Sequence, residues 1–420
     1  MEKVNSAGPL RIGIVGGSIA GCVAAIELLR RGHDVAVFER SSREFTGRGA
    51  GIGIPITTLQ ALVARNLIPA EIPHFVVHRQ PFISRTGPND RLGHTAWASP
   101  VNLALINWGD LYRQLRARVP DAFFHAGRTV TGTKMIDNQL VAMHLDDGSK
   151  REFDLVIYAD GYRSFGRLCL FPDVELEYCG YILWRGVLEE ERLAESEPLE
   201  GLLPRVNYKG IAGHGVFYFV PGSDGSVVRG ERWVNWACYV PLPIERLSSF
   251  LTDRHGRQRI GTLPPGKMRP EVEERLKGLM RSHLPTYYAG IINDSQDTFA
   301  QPIYLVDMPA YHRDRICLIG DAGALVQPFT GSGVFKGTGN AIDLAAALQK
   351  HGDVDAALAE WGRSQTHIGH RLAALGRQME RAFVWDAPDF SKMDEETTAT
   401  WWKNAVTFPN EFSYGGGVGD

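Results

Sequence analysis

Two periodicities of apolar residues divide the chain. Residues 11 to 15, RIGIV, form a short apolar run that ends in glycines, the pattern of a buried strand. Ile19, Val23, Ile26 and Leu29 then recur three or four residues apart before Gly32, which predicts a helix closed by glycine. DVAVFER completes a strand-helix-strand unit. LYRQLRARV, from Leu111, reads as a helix, and LVAMHLDDGSKREF reads as a hairpin with Asp-Gly at its turn. FDLVIYAD, 153 to 160, reads as a buried strand leading into a glycine-containing turn.

The middle of the chain changes texture. Between 178 and 245, YILWRGVL, GVFYFVPG and WVNWACYVP are aromatic-rich runs separated by glycine and proline, which predicts a sheet with room for an aromatic ligand. A helix near 270 to 282 follows, then RICLIGDAG at 315 to 323, again a strand running into glycines, and the Ala-rich helix NAIDLAAALQK. The strand-into-glycine architecture of the N-terminal part thus resumes after the middle sheet. Residues 354 to 384 keep helical spacing, whereas the last stretch, ending GGGVGD, has no periodicity.

Composition narrows the picture. At 420 residues the chain exceeds one typical core, so two packed domains are expected. Lys and Arg number 45 against 48 Asp and Glu, a net charge of -3, which offers no basic field for nucleic acid. Five cysteines without a CxxC pair point to a reducing cytoplasm. The polar start MEKVNSAGPL and the lack of an apolar stretch of roughly 20 residues argue against export or a membrane span. The 13 histidines form no HExxH or similar cluster, so no metal is expected.

Four motifs carry candidate chemistry. Gly16-Gly17-Ser18-Ile19-Ala20-Gly21 sits where the first strand meets its helix, with Glu39 ending the next strand; this is a dinucleotide fingerprint with Ser18 in place of the second glycine. Gly16 makes the tight turn, Gly21 lets helix and sheet approach, and the helix N-terminus faces a pyrophosphate. Glu39 can accept from ribose hydroxyls and would repel a 2'-phosphate. The motif alone fits FAD or NAD. Arg48-Gly49-Ala50-Gly51-Ile52-Gly53-Ile54 places a cation beside backbone free of bulk, able to run flat against a ring. Asp160-Gly161, followed by Tyr162, Arg163, Ser164 and Arg167, lies just past an apolar strand, where Asp-Gly alone is more often a turn. Gly320-Asp321 follows ICLI, with Pro328, Phe329, Thr330, Gly331, Ser332 and Gly333 opening a helix. That aspartate can bind sugar or ribityl hydroxyls, and the helix N-terminus can stabilise charge on a reduced flavin.

The order of these motifs resembles the single-component, class A flavoprotein monooxygenases of the para-hydroxybenzoate hydroxylase fold. The resemblance implies an α/β (α+β) chain: a Rossmann-like FAD-binding domain of the GR2 type, an interleaved and mainly antiparallel substrate sheet, and a C-terminal helical segment. It places the FAD-binding domain at 1–75, 100–177 and 290–350, the substrate domain at 76–99 and 178–289, and the helix and tail at 351–420. The implied FAD-binding set is Gly16, Ser18, Gly21, Glu39, Arg48, Asp160 and Asp321, completed by Ile19, Ala20, Arg40, Gly49, Ala50, Arg113, Gly161, Gly320, Gly331, Ser332 and Gly333. YILWRGVL, RWVNWACYVP, LTDRHG and LPPGKMRPE look like the 2,6-dihydroxypyridine 3-hydroxylase branch. Trp108 stands where the superfamily commonly has an arginine, which makes Arg113 a candidate for its phosphate contact. QPFTGSGVFKG differs from the HTAAGT-like loop of that branch, which leaves the substrate open.

The implied activity is hydroxylation of a small aromatic or N-heteroaromatic substrate with NAD(P)H and O2, through a flavin C4a-hydroperoxide. Candidates to meet that substrate are Arg185, His214, Tyr218 and Tyr239 of the middle sheet and Pro328 of the late loop, His214 being preferred for proton exchange near neutrality. For each, a packing role competes, since strand tyrosines are usually core. Other flavoenzymes (epoxidase, oxidase or halogenase) and a non-catalytic flavin-binding protein are the alternatives. Trp233-Val234-Asn235-Trp236 does not match the WxWxIP of halogenases. NADH versus NADPH is open, as is a homodimer.

Overall fold

The computed structural model of the chain describes residues 8–42, 51–137, 139–408 and 412–413. Its first layer is a six-stranded sheet built from near-continuous apolar runs, the signature of strands covered on both faces. β1 (Arg11–Val15) lies between β2 (Asp34–Glu39) and β10 (Leu155–Tyr158), all parallel, with Ile14 opposite both Val37 and Ile157. β6 (Phe124–Ala126) extends one edge, and β17 (Ile316–Leu318) with β16 (His312–Arg313) extends the other.

Helix α1 (Ile19–Leu29) packs among the strands and against α8 (Gly333–Lys350). A meander of β7 (Val130–Met135), β8 (Val141–Leu145) and β9 (Lys150–Phe153) supplies Met143 and Phe153 against the sheet. The contact is close: a side chain at Gly13 would begin 2.8 Å from the Met143 methyl and 2.9 Å from the Phe153 ring. The expected hairpin joins β8 to β9 through Asp147-Gly148, with Gly148 at φ 82°.

The second layer is an eight-stranded, mainly antiparallel sheet. Its order runs β15 (Phe299–Leu305), β11 (Glu177–Glu189), β14 (Trp233–Pro241), β13 (His214–Val220), β12 (Arg205–Asn207), β4 (Phe75–Ser84), β5 (His94–Asn107), β3 (Gly51–Pro55). It therefore draws strands from both sides of residues 76, 100 and 290. Side chains alternate across a strand, and here both faces are covered. One face carries Trp184, Phe217 and Trp236 against α5 (Ile244–Phe250), α6 (Pro270–His283) and α7 (Thr286–Asp294). The Trp184 and Trp236 rings meet edge to face at 4.9 Å, and Trp236 Nε1 donates to Ser295 Oγ at 2.8 Å. The other face turns Leu183, Arg185, Val216, Tyr218, Ala237 and Tyr239 toward a cavity shared with the first sheet.

The far end of that cavity is backed by the C-terminal region. The helical spacing from 354 is realised as α9 (Val354–Glu380), and α10 (Glu395–Val406) follows, started by an Asp394–Thr397 capping box. Phe383, Phe390 and Trp402 from this region join Phe82, Tyr239 and Phe329 in one apolar cluster. No helix among the described residues is long and apolar enough to cross a membrane.

Candidate active site

The site is a cavity of about 360 Å³ where the two sheets face each other. On the first-sheet side it begins at the fingerprint loop, whose glycines are required sterically. Gly16 has φ 102°, and a Cβ there would lie 2.4 Å from the Ala159 carbonyl oxygen; one on Gly21 would lie 1.9 Å from the Gly16 oxygen. Ser18, Ile19 and Ala20 line the cavity, and Ser18 makes no side-chain cap bond to α1. The first N–H groups of a helix have no intrahelical partner and carry its positive end. Glu39 lies behind this loop, accepting from the N–H groups of Gly17 and Ser41 at 2.9 Å each. It braces the fingerprint and is not among the lining residues.

Asp160 acts locally in a similar way. Its Oδ2 accepts from the N–H groups of Phe165 at 2.7 Å and Gly166 at 3.3 Å, while Oδ1 is buried without a hydrogen-bond partner among the described residues. Burial pushes the Asp160 carboxyl above its ordinary range. Gly161, at φ 82°, lines the cavity. Arg167 ties this motif to the late one by donating to the carbonyls of Asp321 at 3.1 Å and Ala322 at 3.2 Å. Gly320, at φ 61°, donates to Asn340 Oδ1 at 2.9 Å, and Asp321 accepts from the buried Lys336 at 3.0 Å. Pro328 begins a short turn that ends at Gly331 in the left-handed region, φ 68°, before α8 starts at Gly333. Gly320, Asp321, Pro328, Gly331 and Gly333 all line the cavity; Ser332 is buried, its hydroxyl 2.8 Å from Thr330 Oγ1.

β3 forms the join between the two halves. Gly51 donates to Asn235 Oδ1 at 2.8 Å, and its carbonyl accepts from Arg185 at 2.5 Å and Tyr218 at 2.9 Å. A Cβ on Gly51 would lie 2.6 Å from Val220, so glycine is needed for this close approach. Beyond it the chamber is walled by Leu103, Leu105, Leu183, Leu203, Val216 and Phe329, with Gln80, Arg185, Arg205, Tyr218 and Tyr239 as its polar groups.

Among the described residues, several expected ones do not line the cavity. Arg48, Gly49 and Ala50 fall outside the described residues. Arg40 is exposed, and Arg113 pairs with Asp110 on α3 (Trp108–Arg116); neither lines the cavity, whereas Trp108 does. His214 stands behind the wall rather than in it. Its Nδ1 lies 2.9 Å from the Phe383 carbonyl, its Nε2 lies 2.6 Å from Arg205 Nη1, and its ring stacks on Tyr239 at 4.5 Å. These partners assign the proton to Nδ1 and leave Nε2 as the acceptor. Burial, with the Arg205 charge beside it, holds the ring well below its usual 6.5 and keeps it neutral.

Gln80 and Arg205 are the residues sequence reasoning missed. Both are polar positions inside otherwise strand-like runs, VVHRQPFIS and LLPRVN, and period-two parity was the available signal.

A family described as NAD(P)-binding Rossmann-like domain matches residues 14–55, and one described as FAD binding domain-like matches 178–304. The chain is 26% identical over 367 residues to 2,6-dihydroxypyridine 3-monooxygenase of Paenarthrobacter nicotinovorans, covering 86% of this chain and 88% of that one. It is 26% identical over 365 residues to salicylate hydroxylase of Pseudomonas putida, covering 81% and 77%. Among solved structures, 2,6-dihydroxypyridine-3-hydroxylase from Arthrobacter nicotinovorans superposes with a TM-score of 0.81 at 23% identity over 91% of this chain and 95% of that one. The two relatives are a monooxygenase and a hydroxylase, and the solved structure shares the fold of this chain; with the FAD binding domain-like match, the class these define for this chain is an FAD-dependent oxidoreductase.

Proposed function

We propose that this chain binds FAD along the cleft from Ser18 to Gly333 and uses NAD(P)H and O2 to hydroxylate a small, electron-rich aromatic or N-heteroaromatic ring in its anionic form. One observation carries the reading: a single cavity joins the fingerprint loop, Asp321 and the α8 N-terminus to an apolar-walled chamber that contains two arginines. The residues fit FAD, since a Cβ at Gly161, Gly331 or Gly333 would point into open space and Asp160 keeps a buried oxygen without a partner.

Bound FAD would accept a hydride from the nicotinamide and activate oxygen. Ser18, Ile19 and Ala20 would present the α1 N-terminus to the pyrophosphate. Asp321, oriented by Lys336, would accept from ribityl hydroxyls. The N-terminus of α8 would offset negative charge beside it.

Leu183, Leu203, Val216 and Phe329 would exclude water from the reacting face. Arg205 would pair with a ring oxyanion, which keeps the ring nucleophilic without a side-chain base, and Arg185 would add positive potential from the Gly51 junction. His214 would position Arg205 and take no proton from the ligand. Five free thiols suit a reducing cytoplasm, and either nicotinamide donor remains compatible with the cleft.

The test is NAD(P)H oxidation by the FAD-loaded protein with hydroxypyridines, dihydroxybenzenes and salicylate. Stimulation by an ionisable hydroxylated ring supports the reading. Oxidation that stays at its basal rate with every ring contradicts it.

A further inference from the structure

Past β17 the sheet's hydrogen bonding gives way to a side-chain relay. Ile319 N–H still donates to the Tyr158 carbonyl at 2.9 Å, but at Gly320 the chain turns into the left-handed region, φ 61°, and its N–H passes to Asn340 Oδ1 on α8 at 2.9 Å. That bond fixes the Asn340 amide, because a backbone N–H can face only its oxygen. Its Nδ2 therefore points onward, donating to Gln365 Oε1 on α9 at 2.7 Å, and Gln365 Nε2 donates in turn to Asp343 Oδ2 at 3.0 Å. A carboxylate is acceptor-only, so each amide of the relay has one permitted orientation. Asn340 and Gln365 are each 2% exposed, and Trp361 Nε1 of α9 donates to the Asn340 carbonyl at 3.0 Å. This half of α9 is built into the first layer, with Ala357, Leu358 and Trp361 buried among the strands and helices of the six-stranded sheet.

We infer that Gln365 is a positioning residue for the cofactor: through Asn340 it holds the Gly320 turn, and with it the side chain of Asp321, in place at the cavity. Gln365 is not among the lining residues, whereas Gly320 and Asp321 are, so its action on the cofactor passes through Asn340. With the Gln365 acceptor lost, Asn340 Nδ2 would be a buried donor without a partner. The Asn340 side chain would then leave its one orientation, and the Gly320 N–H would lose its acceptor. This inference rests on the FAD reading and deepens it.

The experiment titrates the full chain, stripped of flavin, with FAD and follows flavin fluorescence, beside the melting temperature of each flavin-free protein. Gln365→Met removes the acceptor for Asn340 Nδ2 and should weaken FAD binding about 10-fold, the effect of one buried hydrogen bond. Gln365→Glu keeps that acceptor but sets a buried carboxylate against Asp343, so it should melt lower than Gln365→Met and still bind FAD within about 3-fold of the wild type. Asp343→Asn keeps an acceptor for Gln365 Nε2 and should also stay within about 3-fold. The order of affinity then opposes the order of stability, which a merely structural role would not produce. Affinity that follows melting temperature across the variants, or Gln365→Met binding as tightly as the wild type, overturns the inference. A wild-type chain that takes up no FAD removes the hydroxylase reading as well, whereas FAD bound equally by the wild type and Gln365→Met removes this inference alone.

Discussion

The two sheets meet the same cavity with different atoms. The six-stranded sheet offers backbone: the loop after β1, the Gly161 turn and the Gly320 turn all present main chain, with glycines where a side chain would collide, as at Gly16 and Gly21, or where φ is positive, as at Gly161 and Gly320. The eight-stranded sheet offers side chains at alternate positions, Arg185 on β11, Tyr218 on β13 and Tyr239 on β14, while the intervening residues pack on helices. A group common to many proteins can be held by main chain and helix ends. A ring that must be distinguished from its neighbours needs particular side chains.

Substitutions should separate these two modes. The largest effect is expected for Gly21→Val, whose Cβ would lie 1.9 Å from the Gly16 oxygen. It should lose bound FAD and several kcal/mol of stability, read by flavin absorbance and thermal melting. Trp236→Ala empties the helix-facing side of the second sheet and should cost about 3–5 kcal/mol, with the flavin-to-protein ratio of the folded fraction unchanged. Arg205→Met should raise the KM for an anionic ring by roughly 10- to 100-fold and leave FAD content intact, as expected for a charge-assisted contact worth about 1.5–3 kcal/mol.

His214 gives a smaller, pH-dependent signal. An unfolded histidine titrates near 6.5, while the folded ring is held well below that value. The unfolded state therefore binds the proton first, and stability falls as pH drops below about 6.5 until the folded ring also titrates. His214→Asn, which keeps an acceptor near Arg205, should flatten this slope in denaturant titrations from pH 7.5 to 5. The smallest effect belongs outside both sheets' ligand faces: breaking the exposed Arg128–Asp147 pair with Asp147→Asn should leave the melting temperature within experimental scatter of the wild type, because solvent and salt screen such a pair.

The same contrast explains what the sequence made legible. Glycines at Gly16, Gly21 and Gly320 mark main-chain geometry, so the glycine loops beside the cavity, the Rossmann-like unit and the late helix were readable in order. Residues of the second sheet had no motif to mark them. Gln80 and Arg205 gain their meaning from strand pairing across more than 100 residues of chain, and His214 looked like a ligand-facing base because its strand parity was right while its depth was not visible. The residues lining the β3 junction were foreseen only as a flat glycine run, since their contacts with Arg185, Tyr218 and Asn235 are long-range.

The most direct measurement is turnover of the FAD-loaded protein with NAD(P)H and a hydroxylated pyridine under 18O2, followed by mass analysis of the product. The account predicts a product heavier by one oxygen atom, with that atom carrying the 18O label. Unlabelled product, or NAD(P)H consumed with the ring recovered unchanged across the hydroxylated rings, would contradict it.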